Sequence, residues 1–272
     1  MVKSILSLIL MFVIAGCGAG EKQSGPQQSN PIPTQQEVTA DWEPDNLNKA
    51  ILSRSQKFGS VHPAVLATFE GDEELQSFAR AVRTAKKLEG QLDIGKPDYD
   101  LVLINDDGRQ EFHFWLSPNA DSGMFTYVSD TGTGYTLTEE AAGELRKLIG
   151  SLPYTSEQAA ENGDVVNMHG KITNLDKWNR FTANVKEGTP DEVHMTSYTI
   201  EGDPIFHDLL FDGRAIEVTY DNRMDAFGAP KKIISFCKSI DQNKVERGTQ
   251  YTLAQCDREE RTFSFTVAMD ND

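Results

Sequence analysis

An α+β fold is what this sequence predicts: two units, each an antiparallel sheet with helices on one face. Three observations point to it. Short segments of alternating apolar and polar residues follow one another directly, turn signals of two to four residues join them, and helical periodicity breaks in at only a few places. Turns that tight connect antiparallel neighbours, whereas parallel ones need a long crossover.

Folded structure is expected to begin near Leu47, with a first strand at Val61 to Phe69. Gly71-Asp72 then opens a helix with Leu75, Phe78, Ala79 and Val82 on one face and Gly90 as its stop. Tyr99 to Ile104 and Gln110 to Leu116 read as strands around the turn Asn105-Asp106-Asp107-Gly108, and Met124 to Ser129 reads as a third after Ser117-Pro118-Asn119. Thr138-Glu139-Glu140 starts a helix carrying Ala141, Ala142, Leu145, Leu148 and Ile149, and Gly150 closes it.

Ser151 to Gly163, with Pro153 and an acidic stretch, reads as a linker, so the first unit is placed at 46–151 and the second at 152–272. The second unit opens with a strand at Val165 to Ile172. Thr173-Asn174-Leu175-Asp176 resembles a capping box with Asp in place of Glu, ahead of a helix that turns Trp178, Phe181 and Val185 inward and ends at Gly188. Strands follow at Glu192 to Ile200, Ile205 to Phe211 and, after the tight Asp212-Gly213 turn, Ala215 to Tyr220. Lys232 to Ser239, Gln250 to Gln255 and Thr262 to Ala268 complete the set. Both units run strand, helix, then several strands, without repeated residues.

The amino terminus has a different character. Lys3 precedes an apolar run from Ile5 to Ile14, too short to span a bilayer comfortably, and Ala15-Gly16-Cys17 follows. This is the pattern of a signal peptide, residues 1–16, and Ile14-Ala15-Gly16-Cys17 resembles the bacterial lipobox, in which the cysteine thiol carries a diacylglyceryl group. Cys17 is thus the expected lipidation site. Two acyl chains hold a membrane surface firmly where one holds only marginally. Residues 17–45 are rich in Gly, Ser, Gln, Asn, Pro and Thr, a composition that cannot bury enough surface to offset ordering, and read as a lipid-anchored tether with a reach of ~30 Å.

Cleavage before Cys17 removes Lys3 and no acid, taking 26 basic residues to 25 against 42 acidic ones, a net charge of −17. A chain this acidic repels polyanions and is not expected to bind nucleic acid. With Cys17 lipidated, Cys237 and Cys256 remain. Export favours a disulfide between them, worth roughly 3 kcal/mol on the chain-entropy model; two buried thiols or a redox pair are the alternatives, although the spacing is unlike C-x-x-C.

Several stretches of the second unit carry a resemblance: His169-Gly170-Lys171-Ile172-Thr173-Asn174, Thr199 to Ile205, Asp225-Ala226-Phe227-Gly228, and the pair Cys237 and Cys256. Through them it resembles the domain of unknown function 4362 family of Gram-positive lipoproteins. The first unit is similar to the YhfM-like domain of related lipoproteins, through His62-Pro63-Ala64-Val65, the helix Glu73 to Leu88 and Tyr99-Asp100-Leu101-Val102-Leu103. The resemblance implies a cell-envelope lipoprotein of bacilli and their relatives, and brings no activity, cofactor or catalytic residues.

Local catalytic signatures are missing from the sequence: it contains no G-x-S-x-G elbow, H-E-x-x-H or Gly-rich phosphate loop. His169, His194 and His207, with Asp203, Asp208 and Asp212, would bind a transition metal only if their strands aligned, and they lack paired ligand spacing. The acidic turns at Glu201 to Asp203 and Asp221 to Asp225 lack the calcium-loop pattern. In the first unit His113, Trp115, Phe125 and Tyr127 share one parity of their strands, with Phe112, Phe114, Met124 and Val128 on the other. Exposed, the first set makes an aromatic patch for an envelope protein or glycan; a helix over that face would hide it.

The expectation is a lipid-anchored, extracytoplasmic, non-catalytic binding or interaction module at the cell membrane, without cofactor. Its partners are membrane lipid through Cys17 and an envelope protein or glycan. A metal-assisted envelope hydrolase and a transporter's solute-binding lipoprotein are the alternatives, the second disfavoured because consecutive strands replace βα alternation.

Overall fold

Alternation decides which side chains meet. Strands β1 (Lys49–Arg54) and β2 (Val65–Phe69) are followed by helix α1 (Asp72–Thr84), the short β3 (Lys86–Lys87), β4 (Tyr99–Asn105), β5 (Gly108–Trp115), β6 (Met124–Tyr127), β7 (Asp130–Thr136) and helix α2 (Glu139–Gly150). The seven strands form one antiparallel sheet in the order β2-β1-β4-β5-β6-β7-β3. The register sets Leu52 opposite Leu101, Leu101 opposite Phe112, and Phe114 opposite Phe125. These residues form one buried cluster with Leu75, Phe78 and Ala81 of α1 and Ala141, Ala142, Leu145 and Ile149 of α2. This architecture comes from a computed structural model, which describes residues 42–118, 120–258 and 263–268. All of these fall in the compact unit 38–272; the signal segment 1–16, the lipidation site Cys17 and nearly all of the tether lie outside the described residues.

Thr138 caps α2 as expected, its hydroxyl accepting from the Ala141 N–H at 3.2 Å. α1 stops at Thr84, short of Gly90, where Ala85 turns extended at φ −67° and ψ 148° while still packing against the core. Lys86–Lys87 pairs instead with Tyr135 and Thr136. β1 and β7 are strands the sequence did not signal. In β7, Gly134 is closely approached: a Cβ there would lie 3.0 Å from the Leu92 methyls and the Met124 Cε, which would have to shift.

The segment expected to be a linker is structured. Helix α3 (Ser156–Glu161) is capped by Thr155 and buries Ala159, while Tyr154 enters the first core. Gln158 Nε2 donates to Val65 O and Leu66 O at 3.1 and 2.8 Å, and Asn162 Nδ2 donates to Val65 O at 2.8 Å. Side-chain amides thereby occupy carbonyls of the edge strand β2, which a polar linker composition does not announce.

The rest of the chain forms β8 (Val165–Met168), β9 (Lys171–Thr173), helix α4 (Leu175–Glu187), β10 (Asp191–Tyr198), β11 (Pro204–Phe211), β12 (Ile216–Asp221), β13 (Lys232–Cys237), β14 (Ser239–Val245), β15 (Gly248–Ala254) and β16 (Ser264–Ala268). A six-stranded sheet runs β13-β12-β11-β10-β8-β9, with β8 parallel to β10 and the other pairs antiparallel. A three-stranded sheet runs β14-β15-β16. The expected strand Val165 to Ile172 is a hairpin, because His169 and Gly170 both take positive φ, 53° and 98°. Nor does a capping box form: Asn174 is left-handed at φ 56°, and its Nδ2 donates to Ala160 O and Asp164 O at 3.0 and 2.8 Å.

Trp178 and Phe181 of α4 pack with Val193, Met195, Leu209 and Val218 from one sheet face and with Tyr251, Leu253 and Phe265 of the small sheet. Cys237 and Cys256 form a disulfide beside this second core. From the opposite face of the six-stranded sheet, Tyr198 and Phe206 enter the first core together with Val166 and Met224. The chain is thus mixed α+β with mostly antiparallel open sheets, and residues from before and after α3 share one core.

Candidate functional site

Polar residues at strand positions that should be apolar mark where the chain does something other than pack. Asp100 and His113 face each other across β4 and β5, on the side away from the aromatic core, and both side chains are 0% exposed. His113 Nδ1 lies 2.7 Å from Asp100 Oδ1, and the Gly59 N–H donates to His113 Nε2 at 3.0 Å. An acceptor Nε2 carries no proton, so Nδ1 is the nitrogen that donates to Asp100. The second Asp100 oxygen accepts from the His62 N–H at 2.7 Å. The pair therefore pins the β1–β2 loop at two points, and Phe58 of that loop rests against the rings of His113 and Trp115.

Pinning the loop sets the position of His62. Its ring lies 5.6 Å, centroid to centroid, from that of His194 on β10, at an interplanar angle of 69°. His194 Nδ1 is 2.9 Å from Asp208 Oδ1 on β11, directly opposite in register. Arg54, the last residue of β1, donates to both Asp208 oxygens at 3.3 and 2.6 Å and stacks 3.8 Å over the Phe206 ring. Burial alone would raise the Asp208 carboxyl; the Arg54 charge and the His194 hydrogen bond outweigh it and hold it far below the ordinary carboxylate range. Burial works against a proton on His194, but the bond to Asp208 wins and raises its pKa. Burial, and then the neighbouring His194, lower that of His62. Both imidazoles line a cavity of about 360 Å³, together with Asn162, Lys177, Arg180 and Glu192.

A second charged seam lies elsewhere along the same junction. Arg223 donates to both Asp221 oxygens at 2.9 and 2.7 Å, pairs with Asp98 at 3.2 Å and sits 5.1 Å over the Tyr99 ring. Lys232 Nζ reaches the same Asp98 oxygen at 2.6 Å, and the other accepts from the Leu116 N–H at 2.8 Å. Burial would raise both carboxyls, but the cations outweigh it and hold both pKa values below the ordinary value.

The aromatic patch expected from His113, Trp115, Phe125 and Tyr127 does not exist as one surface. Phe112 pairs with Tyr127 and Phe114 with Phe125, whereas His113 and Trp115 pair with Thr126 and Met124, so the four residues divide between the two faces. His113 and Phe125 are buried, and Trp115 and Tyr127 are half-buried. Parity within one strand says nothing of its neighbour until the register is known.

His169, His194 and His207 are not brought together either. His169 occupies the β8–β9 turn, and His194 and His207 project from opposite faces, since His194 pairs with Asp208 and His207 with Met195. Among the described residues no group of three or more His, Cys, Asp or Glu is placed to hold a metal. His207 packs 4.4 Å from the Phe263 ring, and burial pushes its pKa down to about 4. The acidic turns brace backbone: Asp203 accepts from the Ala226 N–H, and Asp225 from those of Phe227 and Gly228. Sequence reasoning gave no site role to Arg54, Asp98 or Arg223, and met His62 and Asp100 only as part of the family resemblance. Asp100, a lone acid inside an apolar strand run, was the one visible signal.

Comparison with known proteins agrees with the two-part organisation. Residues 45–152 match the family model described as YhfM protein. Residues 162–252 match the Domain of unknown function (DUF4362). The arrangement implied by the residue-level resemblance is therefore present, in the same order along the chain. No curated protein matches. Among solved structures, a thioesterase-like protein from Clostridium sporogenes ATCC 15579 is similar over 39% of this chain and 97% of its own, at 16% identity and a TM-score of 0.33.

Proposed function

We propose that the protein is a lipid-anchored lipoprotein on the extracytoplasmic face of the cell membrane, whose folded part is a non-catalytic module that binds an envelope protein. The lipobox-like Ile14-Ala15-Gly16-Cys17 after a short apolar run supports the anchor. One observation carries the binding half: Leu210 on β11 and Ile234 and Phe236 on β13, exposed by 40%, 37% and 48%, lie on one face of the sheet on the two strands that flank β12. Leu210 and Phe236 both pair with Glu217, which Lys96 holds at 2.5 Å, so an ion pair lies between the apolar side chains of the patch. In the same reading the helices of each region cover one face of its sheet, α1 and α2 in the first and α4 in the second. A metal-assisted hydrolase built on His169, His194 and His207 finds no support in their placement.

Mass analysis of the native protein is expected to show a diacylglyceryl group on an N-terminal Cys17, and Cys17→Ser is expected to shift the protein from the membrane to the soluble fraction. Recovery of an intact Met1 with a free thiol in the cytosol overturns the anchor. For the binding half, photo-crosslinking residues placed at Leu210 and Phe236 in cells should yield one discrete adduct that the same probe at Lys244 does not. Identical products at all three positions, or a glycan adduct, overturn a protein partner.

A further inference from the structure

We infer that His62 and His194 form a two-imidazole site for a single divalent transition-metal ion of the zinc, copper and nickel class, in the cavity bounded by the β1–β2 loop and α4. Both rings line that cavity, and neither ring nitrogen of His62 nor His194 Nε2 is hydrogen-bonded to a described residue. An ion held at the usual imidazole distance by two nitrogens, with roughly tetrahedral divergence, sets ring centroids about 5 to 6 Å apart. The observed separation is 5.6 Å.

The surroundings are those of a supported ligand. His194 gives its Nδ1–H to a carboxylate, the partner that fixes tautomer and orientation in histidine metal sites, and Arg54 locks that carboxylate from its other side. His62 is fixed independently by its backbone bond to Asp100. The cations in the cavity wall are already engaged: Lys177 Nζ bonds Gly163 O at 2.6 Å and Arg180 grips Asp191 at 3.1 Å. With no third ligand among the described residues, water or an external donor fills the remaining positions. The ion is therefore exchangeable, and imidazole donors select the later first-row metals over magnesium or calcium. This goes beyond the binding role proposed above and does not depend on it.

The test is Cu(II) titration of the metal-free full-length chain, with Cys17→Ser to remove the thiol, read by electron paramagnetic resonance at slightly alkaline pH, where protons compete least for His194. One ion per chain with two nitrogen donors is expected, weakened about tenfold or more by His62→Ala and by His194→Ala, and more mildly by Asp208→Asn. His169→Ala and His207→Ala should leave it unchanged. His62→Ala keeps the backbone bond that pins the loop, so it remains informative even if His194→Ala unfolds. Titration curves indistinguishable between the parent and His62→Ala, or the absence of any stoichiometric ion, overturn the site.

Discussion

Arg223 and Arg54 both carry a buried positive charge into the junction between the two family-matched regions, and they are used differently. Around Arg223 nothing is left over: Asp221, Asp98, Lys232 and the Tyr99 ring surround it, and the side chains of Arg223, Asp98 and Asp221 are 6%, 9% and 6% exposed. Around Arg54 the carboxylate of Asp208 is shared with an imidazole that lines a cavity and whose far nitrogen has no hydrogen bond to a described residue. A network that consumes every polar atom is a fastening. One that stops short of doing so leaves chemistry available.

Breaking each seam should separate them. Arg223→Met strips the main counter-charge from two buried carboxylates, and a loss of about 3 to 5 kcal/mol in unfolding free energy is expected by urea titration. Arg54→Met leaves Asp208 its His194 partner and keeps a side chain over Phe206, so about 2 kcal/mol is expected. Equal losses would erase the distinction.

A pH series sharpens it. Asp98, Asp208 and Asp221 are all held below 3.8, so what they contribute is fully present above that value and is lost as pH falls through their depressed folded values. His194 is raised above 6.5, so its contribution is complete below 6.5 and disappears as pH rises through the elevated folded value. The stability gap between wild type and His194→Gln should therefore narrow from neutral to alkaline pH, while the gap for Arg223→Met stays level. A His194→Gln gap that is flat or widens would place the imidazole outside the seam's energetics. The smallest effect belongs to Lys96–Glu217, more exposed at 37% and 23%: Lys96→Ala should cost under about 1 kcal/mol, checked by the same titration.

Where local chemistry suffices, the sequence was readable. Thr138 opens α2, Gly188 closes α4 with φ 71°, and Asp212 Oδ1 accepts from the Arg214 and Ala215 N–H groups at the tight turn. The disulfide joins the two cysteines expected to pair. What escaped was set by distant partners. β14, mostly polar and exposed, is a strand because β15 pairs with it. α3 is too short to show periodicity and is held by β2. The site was less legible still, because His62, Asp100, His194 and Asp208 come from four separate elements, and only the fold says that they meet.

The amides that α3 lends to β2 bear on any attempt to produce the first region by itself. A fragment ending at residue 152 would retain every strand of the seven-stranded sheet yet uncover the carbonyls of Val65 and Leu66 along its margin. Bare margins of that kind recruit other chains. Such a fragment is expected to self-associate, and one carried on through Asn162 to remain dispersed.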